Sequence, residues 1–138
     1  MSPLSGNCLC GAVRLTVESV EPEFYACHCD MCLRWGGGPY LSVTSTGLKF
    51  ENDENLAVFD SSSWAERAFC RLCGTNIFYR VKKLAVHEVN TGTFDDASSF
   101  RMIGEIFVDE KPSCYEFSGD HPRLTGAEAA ERFSVSAD

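Results

Sequence analysis

Eight cysteines stand at positions 8, 10, 27, 29, 32, 70, 73 and 114, and seven of them fall into clusters of two or three. A secreted disulfide framework would spread its cysteines singly, so clustering at CxC and CxxC spacing points to metal-bound thiolates instead. Zinc takes four tetrahedral ligands in a closed structural site and three protein ligands in an open catalytic one, with sulfur a favoured donor. Seven thiols divide into four and three on that basis, which predicts two Zn²⁺ per chain. Cys8-Leu9-Cys10-Gly11 and Cys70-Arg71-Leu72-Cys73-Gly74 share one design, a chelating pair followed by glycine, and make the natural closed set. A knuckle turns its amides toward the bound sulfur, and glycine supplies the positive φ this often requires.

The remaining cluster is Cys27-His28-Cys29-Asp30-Met31-Cys32. Three thiolates there would leave a fourth metal position to water or substrate. Two alternatives stay open at this level: His28 or Asp30 completes a second closed site, or Cys29 and Cys32 pair with Cys70 and Cys73, stranding Cys8, Cys10 and Cys27. His28 lies between two ligands, so its side chain is expected to project away from a metal they share. After the triad comes Leu33-Arg34-Trp35-Gly36-Gly37-Gly38-Pro39. Arg34 is a candidate partner for a substrate carboxylate, and Gly36, Gly37 and Gly38 can bring backbone amides close to one. A plain turn before the next strand explains the same residues. Cys114 is isolated and is expected to be a small buried thiol. His87 and His121 carry no partner pattern, and no nucleophile elbow, phosphate loop or dinucleotide fingerprint is present.

The elements that must hold these residues read as mainly β. Val13, Leu15 and Val17 alternate after the first knuckle, as do Ile77, Tyr79 and Val81 after the second, the period of a half-buried strand. Further strands are expected over Tyr40–Ser45, Leu56–Asp60, Trp64–Phe69, Leu84–Asn90 and Met102–Val108, separated by Gly, Asn, Asp, Ser and Pro clusters. Helix is scarce: a turn at Asp30–Trp35, and a peripheral stretch Ala127–Phe133 preceded by Thr125 with Glu128 three residues on, a capping-box pattern.

With 138 residues, 44% apolar and 23% charged, the composition predicts one compact domain over 1–138. A formal charge of −8 with no basic stripe disfavours nucleic acid and anionic membrane as partners. No long apolar run exists, and Met1-Ser2-Pro3-Leu4-Ser5 lacks the order of a secretory signal, so a cytoplasmic location is expected.

The order CxCG, CHCxxC, a glycine-rich stretch and CxxCG resembles the glutathione-dependent formaldehyde-activating enzyme family, which also includes centromere protein V. Ile106-Phe107-Val108-Asp109-Glu110-Lys111-Pro112 is similar to that family's C-terminal motif, and the likeness spans roughly residues 6 to 124. The resemblance implies a fold of several coiled antiparallel sheets, shared with a Rab-binding zinc chaperone. It implies a structural zinc on Cys8, Cys10, Cys70 and Cys73 and a catalytic zinc on Cys27, Cys29 and Cys32. The implied activity is carbon–sulfur lyase chemistry, the joining of glutathione and formaldehyde to S-hydroxymethylglutathione, with a small thiol and a small aldehyde as partners. Where the family often has an aromatic residue, this chain has Cys114. Two other functions fit the same cysteines: a zinc-binding interaction module without catalysis, and a thiol redox sensor whose CHCxxC cluster releases metal on oxidation.

Overall fold

In a computed structural model, residues 3–133 are described. In chain order the elements are β1 (Leu4–Asn7), β2 (Arg14–Val17), β3 (Ser19–Val20), β4 (Glu23–Cys27), α1 (Asp30–Gly36), β5 (Ser42–Thr46), β6 (Lys49–Phe50), β7 (Leu56–Phe59), β8 (Ala65–Cys70), β9 (Asn76–Val81), β10 (His87–Asn90), β11 (Arg101–Ile106), β12 (Arg123–Leu124) and α2 (Gly126–Phe133). The mainly β expectation is borne out. Internal contacts group the chain into two compact units, Met1–Glu23 with Ser42–Arg101, and Phe24–Leu41 with Met102–Asp138.

The first unit holds a three-stranded sheet, β1-β2-β6, and a six-stranded sheet, β3-β5-β10-β9-β8-β7. Alternation decides the faces: along β2, Leu15 and Val17 are buried while Arg14 and Thr16 are exposed. In the larger sheet, Val43, Val89, Phe78 and Ala68 stand opposite one another across four antiparallel strands. All four are buried, and each large apolar side chain in such a row contributes about 1.5–3 kcal/mol. The row ends at Val58 on the edge strand β7, which is 53% exposed. The two cysteine knuckles are part of this frame: Cys8–Gly11 precedes β2, and Cys70–Gly74 turns β8 into β9.

The second unit is built on the sheet β12-β11-β4, in which β12 runs parallel to β11 with Glu105 opposite Arg123 and Ile106 opposite Leu124. Strand β4 runs directly into the CHCxxC cluster and α1 follows. The expected capping box is present at α2: the Thr125 amide donates to Glu128 Oε1 at 2.8 Å, and the Glu128 amide donates to Thr125 Oγ1 at 3.2 Å. Asp109 Oδ1 accepts the Gly126 amide at 2.9 Å. The tail after Phe133 lies outside the described residues.

Of the strand boundaries that differ from expectation, two do so for clear local reasons. Leu84–Asn90 shortens to His87–Asn90 because the Leu84 amide bonds the Val81 carbonyl, closing a turn. Met102–Val108 ends at Ile106 because Phe107 takes a left-handed φ of 59° and a 3-10 turn, Val108–Glu110, follows. Among the described residues no helix is long and apolar enough to cross a membrane.

Candidate metal centres

Cys8, Cys10, Cys70 and Cys73 converge within the first unit, their Sγ atoms all within 4.8 Å of one another. The Cys8–Cys10 and Cys10–Cys70 separations are 3.6 and 3.8 Å. A tetrahedral site with metal–sulfur bonds of about 2.3 Å has sulfur–sulfur edges of about 3.8 Å, so the donor set fits a zinc-sized thiophilic ion. Backbone and hydroxyl donors surround it: Cys8 Sγ accepts the Val13 amide at 3.3 Å, and Cys73 Sγ lies 3.1 Å from Thr75 Oγ1. The expected positive φ is found after each knuckle, 82° at Gly11 and 79° at Gly74.

These surroundings divide the protons unequally. Hydrogen bonds from the Thr75 hydroxyl and amide hold the Cys73 thiol down to about 5. The Ala12 amide pulls Cys10 down, yet burial and the neighbouring Cys8, Cys73 and Cys70 thiols push it up to about 11. At Cys8 burial raises the thiol, but the Val13 amide and the Cys10 and Cys70 thiols outweigh it, giving a net lowering. Metal entry, which requires thiolates, would therefore expel a proton from Cys10.

Cys27, Cys29 and Cys32 converge in the second unit, with their Sγ atoms also within 4.8 Å and Cys32 3.4 Å from Cys27. Local backbone explains the arrangement. Cys27 is the last residue of β4, held by paired main-chain bonds to Tyr40 at 3.1 and 2.9 Å. Cys29 is the extended N-cap of α1 and its Sγ accepts the Cys32 amide at 3.4 Å, a position where an anionic sulfur is favoured. Glu110 Oε1 accepts the Asp30 amide at 2.8 Å, which caps the helix start that carries Cys32. The Cys29 and Cys32 thiols and burial together raise Cys27 well above its ordinary value. Among the described residues, this donor group contains three members and no carboxylate or imidazole.

The model of the glutathione-dependent formaldehyde-activating enzyme family matches residues 3–110, a span that takes in all seven clustered cysteines. The chain belongs to this family. It is 32% identical over 127 residues to an uncharacterized lyase of Schizosaccharomyces pombe, covering 91% of this chain and 93% of that one. The crystal structure of a Rhodobacter sphaeroides protein superposes with a TM-score of 0.58 over 87% of this chain and 99% of its own; at 22% identity the likeness concerns the fold.

Within this formaldehyde-activating family member, His28 does not join the thiols. The ring is fully buried and points the other way, with Nε2 2.7 Å from Glu105 Oε1 and Nδ1 2.8 Å from the Tyr115 hydroxyl. Glu105 is itself buried at 1% exposure and its second oxygen meets Arg123 Nε at 3.1 Å and His121 Nε2 at 2.5 Å. Burial would raise the Glu105 carboxyl, but the hydrogen bonds from His121 and His28 outweigh it and hold it below the usual range. His121 thus has a partner that its sequence surroundings do not announce. Asp30 is also turned away from the thiols, pairing with Arg34 at 3.2 Å.

Arg34 is 82% exposed in its ion pair with Asp30. Gly36 ends α1, Gly37 is its left-handed C-cap at φ 79°, and a Cβ added at Gly36, Gly37 or Gly38 would meet nothing within 4 Å. Close packing therefore does not account for the three glycines. Cys114 is exposed, which corrects the expectation of a buried thiol; its neighbour Tyr115 is the residue turned inward, toward His28. Sequence reasoning missed Glu105 and Tyr115 because each meets His28 only through tertiary contact.

Proposed function

We propose that the protein is a zinc-dependent enzyme of carbon–sulfur lyase type that interconverts a small thiol and a small aldehyde with their S-hydroxymethyl adduct, glutathione and formaldehyde being the first pair to test. Residues 1–138 would act as one functional domain with two Zn²⁺, one held by Cys8, Cys10, Cys70 and Cys73 and one by Cys27, Cys29 and Cys32. The observation that carries this reading is the three-thiol cluster whose nearest imidazole, His28, has both ring nitrogens engaged elsewhere. A centre of that composition keeps a ligand position for substrate. Membership of a family named for glutathione and formaldehyde agrees with it.

Zinc bound there would supply Lewis acidity toward a thiol or an aldehyde oxygen. The overall addition forms one S–C bond and moves the thiol proton to the aldehyde oxygen, so nothing is oxidised or reduced. The chain's own part is to gather three sulfurs at the start of α1 and to keep imidazole and carboxylate donors away from them. Arg34 and the open backbone at Gly36, Gly37 and Gly38 are the candidate contacts for substrate carboxylates.

The test is the exchange rate between glutathione, ¹³C-formaldehyde and their adduct by NMR, with and without zinc-loaded protein; rates are compared because the adduct also forms unaided. Acceleration that disappears in Cys29→Ala supports the assignment. No acceleration by protein carrying two zincs rejects this substrate pair.

A further inference from the structure

We propose that Glu105 and Tyr115 are positioning residues for the Cys27–Cys29–Cys32 centre, acting through the ring of His28. The inference rests on the reading that this cluster holds a metal, and it concerns residues outside the ligand set.

Cys27-His28-Cys29 runs from the last residue of β4 to the extended N-cap of α1. Successive side chains of extended backbone point to opposite sides, so the two thiols face one way and the imidazole the other. A rotation of the segment that moves the sulfurs must therefore move the ring, and fixing the ring fixes the sulfurs. One strand does this twice over. Ile106 of β11 accepts the His28 amide at 3.0 Å, while Glu105 on the same strand bonds the ring at 2.7 Å. Tyr115 bonds the opposite ring nitrogen at 2.8 Å. A carboxylate only accepts, so in the neutral ring Nε2 carries the hydrogen and Nδ1 accepts from the Tyr115 hydroxyl. Both nitrogens are then saturated, and His28 has no lone pair left to compete for the metal.

Glu105 is anchored in turn. Its amide donates to the Pro122 carbonyl at 2.9 Å, it stands opposite Arg123 in the parallel β11–β12 pair, and Arg123 and His121 hold its second oxygen. Its burial at 1% exposure is far more than a surface ion pair needs. Outer partners of metal sites change metal affinity by about 10–100-fold when removed. Glu105 stands one bond further out, so the low end of that range is expected.

The experiment uses full-length zinc-loaded protein challenged with chelators of graded strength, counting metal per chain. Cys29→Ala identifies which release step belongs to the three-thiol centre. Glu105→Gln is expected to weaken that step about tenfold while leaving the four-cysteine step in place. The double variant Glu105→Gln with His28→Ala is expected to be no weaker than His28→Ala alone, because residues acting through one another are not additive. Tyr115→Phe, which removes one hydroxyl from a half-buried position, is expected to weaken the same step about threefold, and it carries the test should Glu105→Gln fail to fold. An unchanged step in both variants, or additive effects in the double variant, overturns the proposal. A wild-type protein with no second release step overturns the metal reading, and this inference with it.

Discussion

Gly11 and Gly74 hold the same left-handed backbone, φ 82° and 79°, one residue beyond the last cysteine of each knuckle. At Gly74 an added Cβ would touch nothing within 4 Å, so a substitution there is opposed by conformation alone. A left-handed L-residue costs about 1–2 kcal/mol. Gly74→Ala is expected to lower the thermal midpoint by about 4 °C per kcal/mol for a chain of this size. Gly36→Ala is the control: its surroundings are equally open and its φ is not left-handed, so its midpoint should stay or rise slightly. Scanning calorimetry of both proteins decides between strain and mere loss of glycine.

The two cysteine groups should fail differently. On the proposed metal assignment, Cys73→Ala removes one of four ligands from a set that joins the first knuckle to the β8–β9 turn, and structural zinc is worth on the order of 10 kcal/mol of apparent binding. Loss of global stability by several kcal/mol is expected. On the same proposal, Cys29→Ala should abolish the proposed adduct exchange and leave most of the denaturation midpoint intact. Equal destabilisation by the two variants, measured in urea, would refute the separation into a structural and a working centre.

What the sequence disclosed and what it hid follow from distance along the chain. The CxC and CxxC pairs are local, as is the Thr125–Glu128 capping box, and the structure brings these thiols together and closes this box where spacing put them. Strands with clear alternation, such as Leu15–Val17 and Ile77–Val81, were legible for the same reason. Strand β4 was not: Glu23-Phe24-Tyr25-Ala26-Cys27 has adjacent aromatics and no two-residue period, yet it delivers Cys27. The His28–Glu105 bond joins residues 77 apart, and nothing local to either residue encodes it. The family-like motif Ile106–Pro112 was visible as a string, but its work is tertiary: the Ile106 carbonyl holds the His28 amide, Asp109 caps α2 and Glu110 caps α1. Residue type alone points Cys114 inward, whereas in the structure it is exposed and Tyr115 turns toward His28.

Glu110 offers a direct test of how far the three-thiol centre depends on the start of α1. Its carboxylate accepts the Asp30 amide, the first residue of a seven-residue helix. Glu110→Ala leaves that amide without its side-chain acceptor, at a cost of about 1 kcal/mol. If the cost falls on the helix start, metal affinity at the Cys27–Cys29–Cys32 centre drops roughly fivefold, while Glu110→Gln, which keeps an acceptor, stays near wild type. Chelator competition on the two variants gives the answer, and equal affinities would show that the cap does not reach the thiols.

His87 sets a pH dependence separate from either cysteine group. Burial lowers its imidazole, the Arg80 charge lowers it further, and Glu66 opposes both weakly. Its Nδ1 is buried with no hydrogen-bond partner among the described residues, and its ring meets Phe78 edge-on at 4.7 Å. The folded state therefore prefers the neutral ring. With the folded pKa below the unfolded one, the unfolded chain binds more protons between the two, so stability contributed by neutral His87 is present above about 6.5 and is lost as pH falls below it. His87→Leu cannot take up that proton. Urea midpoints measured from pH 7.5 to 5.5 should fall less steeply in the variant than in the wild type, and identical slopes would mean that His87 accepts its proton without leaving the fold.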